Sequence, residues 1–140
     1  MLTFVRGLPG SGKSTTAKKL LGDGAIHLET DMFWGVPYDF DSSCLDIAHA
    51  WCQGAVAKEL YSGMDVVISN TFVNRKEFIP YLKLAVRFGH LVNVVECTGS
   101  YGSIHSVPEH AINRMRDNWE PMDLTTLIKV YEHIKYGELF

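Results

Sequence analysis

Residues 7–15 read Gly7-Leu8-Pro9-Gly10-Ser11-Gly12-Lys13-Ser14-Thr15. They fit G-x-x-x-x-G-K-[ST], the pattern of a phosphate-binding loop, or P-loop. The residue types match the chemistry. Gly7, Gly10 and Gly12 let the backbone turn tightly, so its N–H groups converge on anionic oxygens. Those amides open a helix, whose positive dipole end adds attraction. Lys13 is placed to reach β- and γ-phosphates, and the Ser14 hydroxyl to ligate Mg²⁺. The flanks agree with the motif. Residues 2–6, Leu-Thr-Phe-Val-Arg, read as a short buried strand, and residues 13–21 as a helix stopped by Gly22 and Gly24. A glycine-rich turn with a chance lysine would not need that strand–loop–helix setting.

The bulk properties narrow the class. A chain of 140 residues suggests one domain. Hydrophobic residues make up 46% and charged residues 21%, as in ordinary soluble domains. No apolar run approaches the ~20 residues needed to span a membrane. The chain starts directly on a strand, so no signal peptide is expected. Cys44, Cys52 and Cys97 are widely spaced and lack zinc-ligand spacing, which suits a reducing cytoplasm. The net charge of −3 gives no overall basic surface for nucleic acid, although a local basic groove is compatible with it. The six histidines form no ligand pair.

Downstream of the P-loop, Ala25-Ile26-His27-Leu28-Glu29 reads as a short strand, followed by Thr30-Asp31. Open parallel sheets place ligands at this C-terminal edge, so Asp31 is a candidate neighbour of the P-loop. An ordinary turn aspartate is the competing reading. Residues 32–41 have no regular period but carry Phe33, Trp34, Tyr38 and Phe40. Such rings either stack on a base or cover the sheet edge.

Ser42 or Ser43 is expected to cap a helix over 44–61. Leu45, Ala48, Cys52, Val56 and Leu60, widened by Trp51 and Ala55, would form its core face. Asp65-Val66-Val67-Ile68-Ser69-Asn70 is a continuous apolar strand suited to a parallel sheet. It ends in Ser69-Asn70-Thr71, where many P-loop enzymes carry an aspartate for Mg²⁺. Metal binding would then rest on Ser14, the nucleotide phosphates and water, with Asp31 as a further candidate. Asn70 and Thr71 can orient groups by hydrogen bonds or merely satisfy a turn.

Asn74-x-x-Glu77 resembles a capping box opening a helix to about Phe88. Pro80 conflicts with an unbroken helix, implying an irregular first turn or a start nearer Phe78. Residues 91–97 form the fourth strand. Residues 98–107 are glycine-rich and are expected to act as a mobile lid. Ser106-Val107-Pro108-Glu109 starts a helix to about Trp119, with Ile112, Met115 and Trp119 as its apolar stripe. Arg114 lies on another face and Arg116 near the stripe's edge. A last helix runs from Leu124 to Tyr136. Alternating strands and helices give a single α/β domain, doubly wound around a mainly parallel sheet.

The P-loop, Thr30-Asp31-x-Phe33, Asn70-Thr71, and Val107-Pro108-Glu109 with Arg114-Met115 together resemble the polynucleotide-kinase-like P-loop kinases. The resemblance covers nearly the whole chain. It implies transfer of the ATP γ-phosphate to a hydroxyl, with ATP and Mg²⁺ as cofactors. Asp31 aligns with the aspartate that serves as general base in polynucleotide kinases. Two departures matter. Trp34 stands where those kinases place an arginine for an acceptor phosphate, favouring stacking over phosphate clamping. The lid arginine is absent, with Gly102 and His105 in that loop, so Arg114 or Arg116 is the candidate for transition-state charge.

Some phage members of this broad group, which this chain resembles, phosphorylate a hydroxymethyl group on a modified pyrimidine in DNA. That acceptor suits the aromatic segment beside Asp31, with Phe33, Trp34, Asn70, Thr71 and His105 as candidate acceptor contacts. A polynucleotide 5′-hydroxyl fits about equally well. A free nucleoside, another small alcohol or a sugar nucleotide comes third. The competing class is a nucleotide-dependent binding module or switch, supported by the missing strand-end carboxylate and lid arginine.

Overall fold

The computed structural model describes residues 1–35, 38–102 and 107–137. Its strands are β1 (Leu2–Gly7), β2 (Ala25–Leu28), β3 (Asp65–Asn70) and β4 (Val92–Cys97). Its α-helices are α1 (Lys13–Leu20), α2 (Leu45–Tyr61), α3 (Arg75–Phe88), α4 (Glu109–Asp117) and α5 (Leu124–Lys135). All strands are parallel, in the order β2-β3-β1-β4. The expected α/β fold is therefore present. Parallel neighbours require crossovers, which the helices supply. Register puts Leu2 opposite Val66 and Val92, and Arg6 opposite Asn70 and Glu96. No helix among the described residues is long and apolar enough to cross a membrane.

Alternation along β1 divides its side chains between two cores. Leu2 and Phe4 join Val66, Ile68 and residues of α2, α3 and α5 in the larger one. Val5 packs with Ala17 of α1 and Val67 in the smaller one. Phe4, Phe72 and Phe78 form the aromatic centre of the larger core, with ring centroids 4.7–5.3 Å apart.

Arg6 also points into the larger core and is fully buried. Its guanidinium donates to the Phe72 carbonyl at 2.6 and 3.2 Å and to the Val73 carbonyl at 3.3 Å. It stacks over Trp119 at 3.8 Å and meets the half-exposed Glu96 at 3.3 Å. Burial pulls its pKa down, opposed by Glu96, Glu77 and Glu120. Phe72 has φ 46°, a left-handed conformation that costs a non-glycine residue about 1–2 kcal/mol. Arg6 thus pins a strained turn between β3 and α3 and ties it to Trp119, just beyond α4.

Several local expectations are corrected. Leu45 and Trp51 are each 38% exposed, while Ala48, Cys52, Val56 and Leu60 are buried. The fully buried face of α2 is this single row, which packs against the sheet and α3, with Ala55 half-buried beside it. Neither Ser42 nor Ser43 caps α2: a 3-10 turn (Ser42–Cys44) precedes it, capped by Asp41 accepting the Ser43 amide at 3.0 Å, and Cys44 is the N-cap of α2 with no side-chain cap bond. Residues 30–34, the first two of them outside the stretch read as aperiodic, also form a 3-10 turn (Thr30–Trp34). Helix α3 begins at Arg75 and passes through Pro80. The missing Pro80 N–H frees the carbonyl of Lys76, an exposed residue, so water can take its place. Helix α4 starts at Glu109 with Pro108 as its N-cap; Ser106, its expected cap, lies outside the described residues.

Replacing Arg6 by alanine takes the donor from the buried Phe72 carbonyl, leaves the Val73 carbonyl with the Glu120 amide alone, and removes the stack on Trp119. The expected destabilisation is about 3 kcal/mol by urea unfolding. A loss below about 1 kcal/mol would show that Arg6 is not a keystone of this face.

Candidate functional site

The site is assembled at the C-terminal edge of the sheet. The P-loop leaves β1 and feeds α1 through Gly12, which caps the helix without any side-chain bond. The first-turn amides therefore keep their donors for an anion. Gly10 and Gly12 have φ 81° and 91°, which favours glycine. A Cβ at Gly10 would lie 2.7 Å from the Gly102 carbonyl oxygen, and one at Gly12 would lie 3.2 Å from the Tyr101 ring. The Tyr101 amide donates to the Gly10 carbonyl at 2.7 Å, bringing the chain after β4 against the P-loop. The lid expected over 98–107 is thus described only in part, and His105 lies outside the described residues.

Lys13 folds its ammonium back on the loop, donating to the Leu8 carbonyl at 3.1 Å. Burial lowers its pKa, opposed by the charges of Glu29 and Asp31. Both carboxylates therefore act on the P-loop lysine.

Glu29 immediately follows β2, and sequence reasoning passed over it. Its Oε2 accepts the Ser14 hydroxyl at 2.8 Å and the Ser69 hydroxyl at 2.8 Å. The His27 ring nitrogen Nε2 lies 2.7 Å from the Ser69 hydroxyl and 3.5 Å from the same carboxylate oxygen. Burial pushes the Glu29 carboxyl up, but bonds from His27, Ser14 and Ser69 outweigh it and hold its pKa at about 2. The signal was indirect: β3 lacks a terminal carboxylate, and the neighbouring strand end offers one.

Asp31 sits exposed on the 3-10 turn after Glu29. The Tyr38 hydroxyl donates to its Oδ1 at 3.2 Å. Burial and the Asp31 charge push the Tyr38 pKa up to about 12, so Tyr38 remains a donor at neutral pH. The backbone of the turn is fixed from the next strand, since Asn70 Oδ1 accepts the Thr30 amide at 2.9 Å. Asn70 thus holds the Asp31 turn; Thr71, half-buried, follows it.

Trp34 is only 7% exposed, wedged edge-on between Phe33 at 5.1 Å and Phe40 at 5.0 Å. Its indole packs the base of the segment. The outer rings are Phe40, 51% exposed, and Tyr38, whose planes lie within 5° of parallel.

Arg114 lines a cavity of about 380 Å³ with Lys76, Asn118 and Glu120 beside the start of α3. Arg116 donates to Asn113 on its own helix at 2.7 Å. Among the described residues, neither is hydrogen-bonded or ion-paired to the P-loop.

The donor set suits nucleotide-bound Mg²⁺. That ion takes one or two protein oxygens and completes its shell with phosphate oxygens and water. Ser14, beside the ionised Glu29, offers such a hydroxyl. No cluster of three His, Cys, Asp or Glu side chains able to hold a metal occurs among the described residues, so the fit is to a phosphate-shared ion rather than a protein cage.

Comparison with known proteins places this geometry in a family. The chain matches AAA_33, described as an AAA domain, over residues 2–122. It belongs to that family. Human NEDD4-binding protein 2 is 31% identical over an alignment of 135 residues that covers 86% of this chain. The chain spans only 8% of that relative's length. Among solved structures, Chaetomium thermophilum Kti12 bound to ADP-AlF3 has a TM-score of 0.68 at 14% identity, with all of both chains covered. The Pnkp1/Rnl/Hen1 RNA repair complex gives 0.59 at 16%, covering 98% of this chain and 44% of that one. The Mycobacterium tuberculosis APS kinase CysC with AMPPNP and APS gives 0.52 at 23%, covering 99% and 75%. The AAA_33 chain shares the kinase-like P-loop fold of these neighbours.

Replacing Asn70 by alanine removes the acceptor of the Thr30 amide. Exchange of that amide is expected to quicken roughly five- to tenfold, the worth of one hydrogen bond. Unchanged exchange would show that Asn70 does not hold the Asp31 turn.

Proposed function

We propose that this protein is an ATP-dependent kinase that transfers the γ-phosphate to a hydroxyl of nucleic acid. The observation that carries the reading is the pairing of P-loop and carboxylate. Asp31 stands exposed on a braced turn and is one of the two carboxylates whose charge acts on Lys13. A hydroxyl acceptor needs a carboxylate within reach of its proton, and otherwise mainly positioning and charge stabilisation. The solved neighbours, which include an APS kinase, a gluconokinase and Pnkp1 of an RNA repair complex, support the kinase class.

In this mechanism the P-loop amides and Lys13 hold the β- and γ-phosphates. Ser14 would hold Mg²⁺, which when bound would neutralise charge on those phosphates. Asp31 accepts the acceptor's proton as its oxygen bonds to the γ-phosphorus. The bond from that phosphorus to the bridging oxygen breaks, and ADP leaves with the electron pair. The Tyr38 hydroxyl on Oδ1 orients the carboxylate. Arg114 or Arg116, from α4, is the candidate for balancing transition-state charge. Residues 1–140 then act as one kinase domain, with 98–107 as its lid.

The acceptor reading is a hydroxymethyl group on a modified pyrimidine in DNA or a polynucleotide 5′-hydroxyl. Phe33, Phe40 and Tyr38 supply the stacking surface, and Trp34 supports it from below. Thr71 and His105 complete the candidate acceptor contacts. A cytoplasmic setting would supply the ATP.

The test is transfer from γ-labelled ATP with Mg²⁺ to three acceptors: DNA with free 5′-hydroxyls, 5′-blocked DNA containing 5-hydroxymethyl-pyrimidine, and a nucleoside mixture. Label on either DNA supports the reading, and label on the blocked DNA identifies a base kinase. Label on nucleosides alone overturns the nucleic-acid acceptor. Nucleotide binding with slow hydrolysis that no alcohol accelerates establishes a switch instead. Asp31→Asn is expected to keep nucleotide affinity and to lose roughly 10²–10⁴-fold in transfer rate. An unchanged rate would remove Asp31 as the base.

A further inference from the structure

We propose that Glu29 is the positioning carboxylate of the metal site, taking over from β2 a task that an aspartate at the end of β3 performs in many P-loop enzymes. This inference rests on the kinase reading above. The expected β3 position holds Ser69-Asn70, which carry no charge. The sheet register shows how a neighbour can serve instead. Leu28 pairs with Ile68, so the next residue on each strand is Glu29 and Ser69. The Ser69 hydroxyl donates to Glu29 Oε2 at 2.8 Å, so the carboxylate reaches the position that a β3 side chain would otherwise fill.

The same oxygen accepts the Ser14 hydroxyl at 2.8 Å. A serine that gives its proton to a carboxylate turns its remaining lone pairs outward. Those lone pairs are what a cation at the P-loop requires. Groups behind a metal ligand fix its orientation in this way and set metal affinity. The arrangement has a cost that a structural role alone does not explain. Glu29 is about one-fifth exposed, and burying an anion there demands compensation. Ser14, Ser69 and His27 provide it. For simple acceptance of two hydroxyl protons, a neutral amide oxygen would serve. The negative charge matters when a divalent cation is next to Ser14.

Glu29→Gln separates the two roles, because it keeps an acceptor oxygen and removes the charge. A second variant, Glu29→Ser with Ser69→Asp, returns the carboxylate to β3, where His27 Nε2 already reaches residue 69 at 2.7 Å. The measurement is Mn²⁺ binding to the ADP-loaded protein by electron paramagnetic resonance, beside metal-free ADP affinity and thermal melting. Glu29→Gln is expected to bind Mn²⁺ about tenfold more weakly, with metal-free ADP bound no less tightly than by the wild type, since an anion beside the phosphates has been removed. The double variant is expected to regain most of that loss. Wild-type Mn²⁺ affinity in a folded Glu29→Gln protein overturns the proposal, as does a folded double variant that regains nothing. Absence of ADP-dependent Mn²⁺ binding in the wild type overturns both this proposal and the kinase reading, and is distinguished by the wild type alone.

Discussion

A single oxygen, Oε2 of Glu29, accepts hydroxyl protons from Ser14 and Ser69 at 2.8 Å each. Ser14 lies in the first turn of α1, Ser69 near the end of β3, and Glu29 just beyond β2. The bond pair therefore joins three elements at the edge where a parallel sheet exposes its C-terminal strand ends. An ionised group held there imposes a condition on its surroundings: every neighbouring polar side chain must face it. His27 meets that condition with Nε2 3.5 Å from the Glu29 oxygen and 2.7 Å from the Ser69 hydroxyl. The next residue pair continues the same seam, with Asn70 accepting the Thr30 amide. Asp31 follows directly, so its place relative to the P-loop is inherited from this seam.

The opposite flank of the site depends on a different charge. Arg6 is buried one residue before the P-loop begins, and it holds the carbonyls of the turn after β3. Its stack on Trp119 brings the end of α4 to the same sheet edge. A glycine loop alone is too free to present its amides in one geometry. Here it is anchored by a buried arginine at its entry and by Ser14 at its exit. The two anchors face different layers of the fold, which keeps the loop ends fixed while the segment after β4 approaches from outside.

The P-loop and the α/β architecture were legible because their signals are local. Glycines at Gly10 and Gly12 carry positive φ, and the apolar run of β3 matches a strand covered on both faces. The site was legible where chain order decides position, as for Asp31 after β2. Glu29 escaped because its meaning depends on Ser69, forty residues away and adjacent only through sheet register. Residue type leaves Trp34 either a stacking ring or a cover for the sheet edge, and its burial is decided by Phe33 and Phe40 closing over it. Leu45 and Trp51 fit the helical period but lie at the margin of the covered face, each 38% exposed, with Trp51 touched by the Phe33 ring. Helical period identifies a face, and only tertiary packing tells how wide that face is.

The most direct test of this account is the crystal structure of the protein with Mg²⁺, ADP and aluminium fluoride, a mimic of the transferring phosphoryl group. The account predicts phosphate oxygens cradled by residues 7–15, the cation on the Ser14 hydroxyl with Glu29 behind it, and the Asp31 carboxylate facing the side of the fluoride group opposite ADP. A fluoride group whose open face is turned away from Asp31, or a cation that bypasses Ser14, would contradict it.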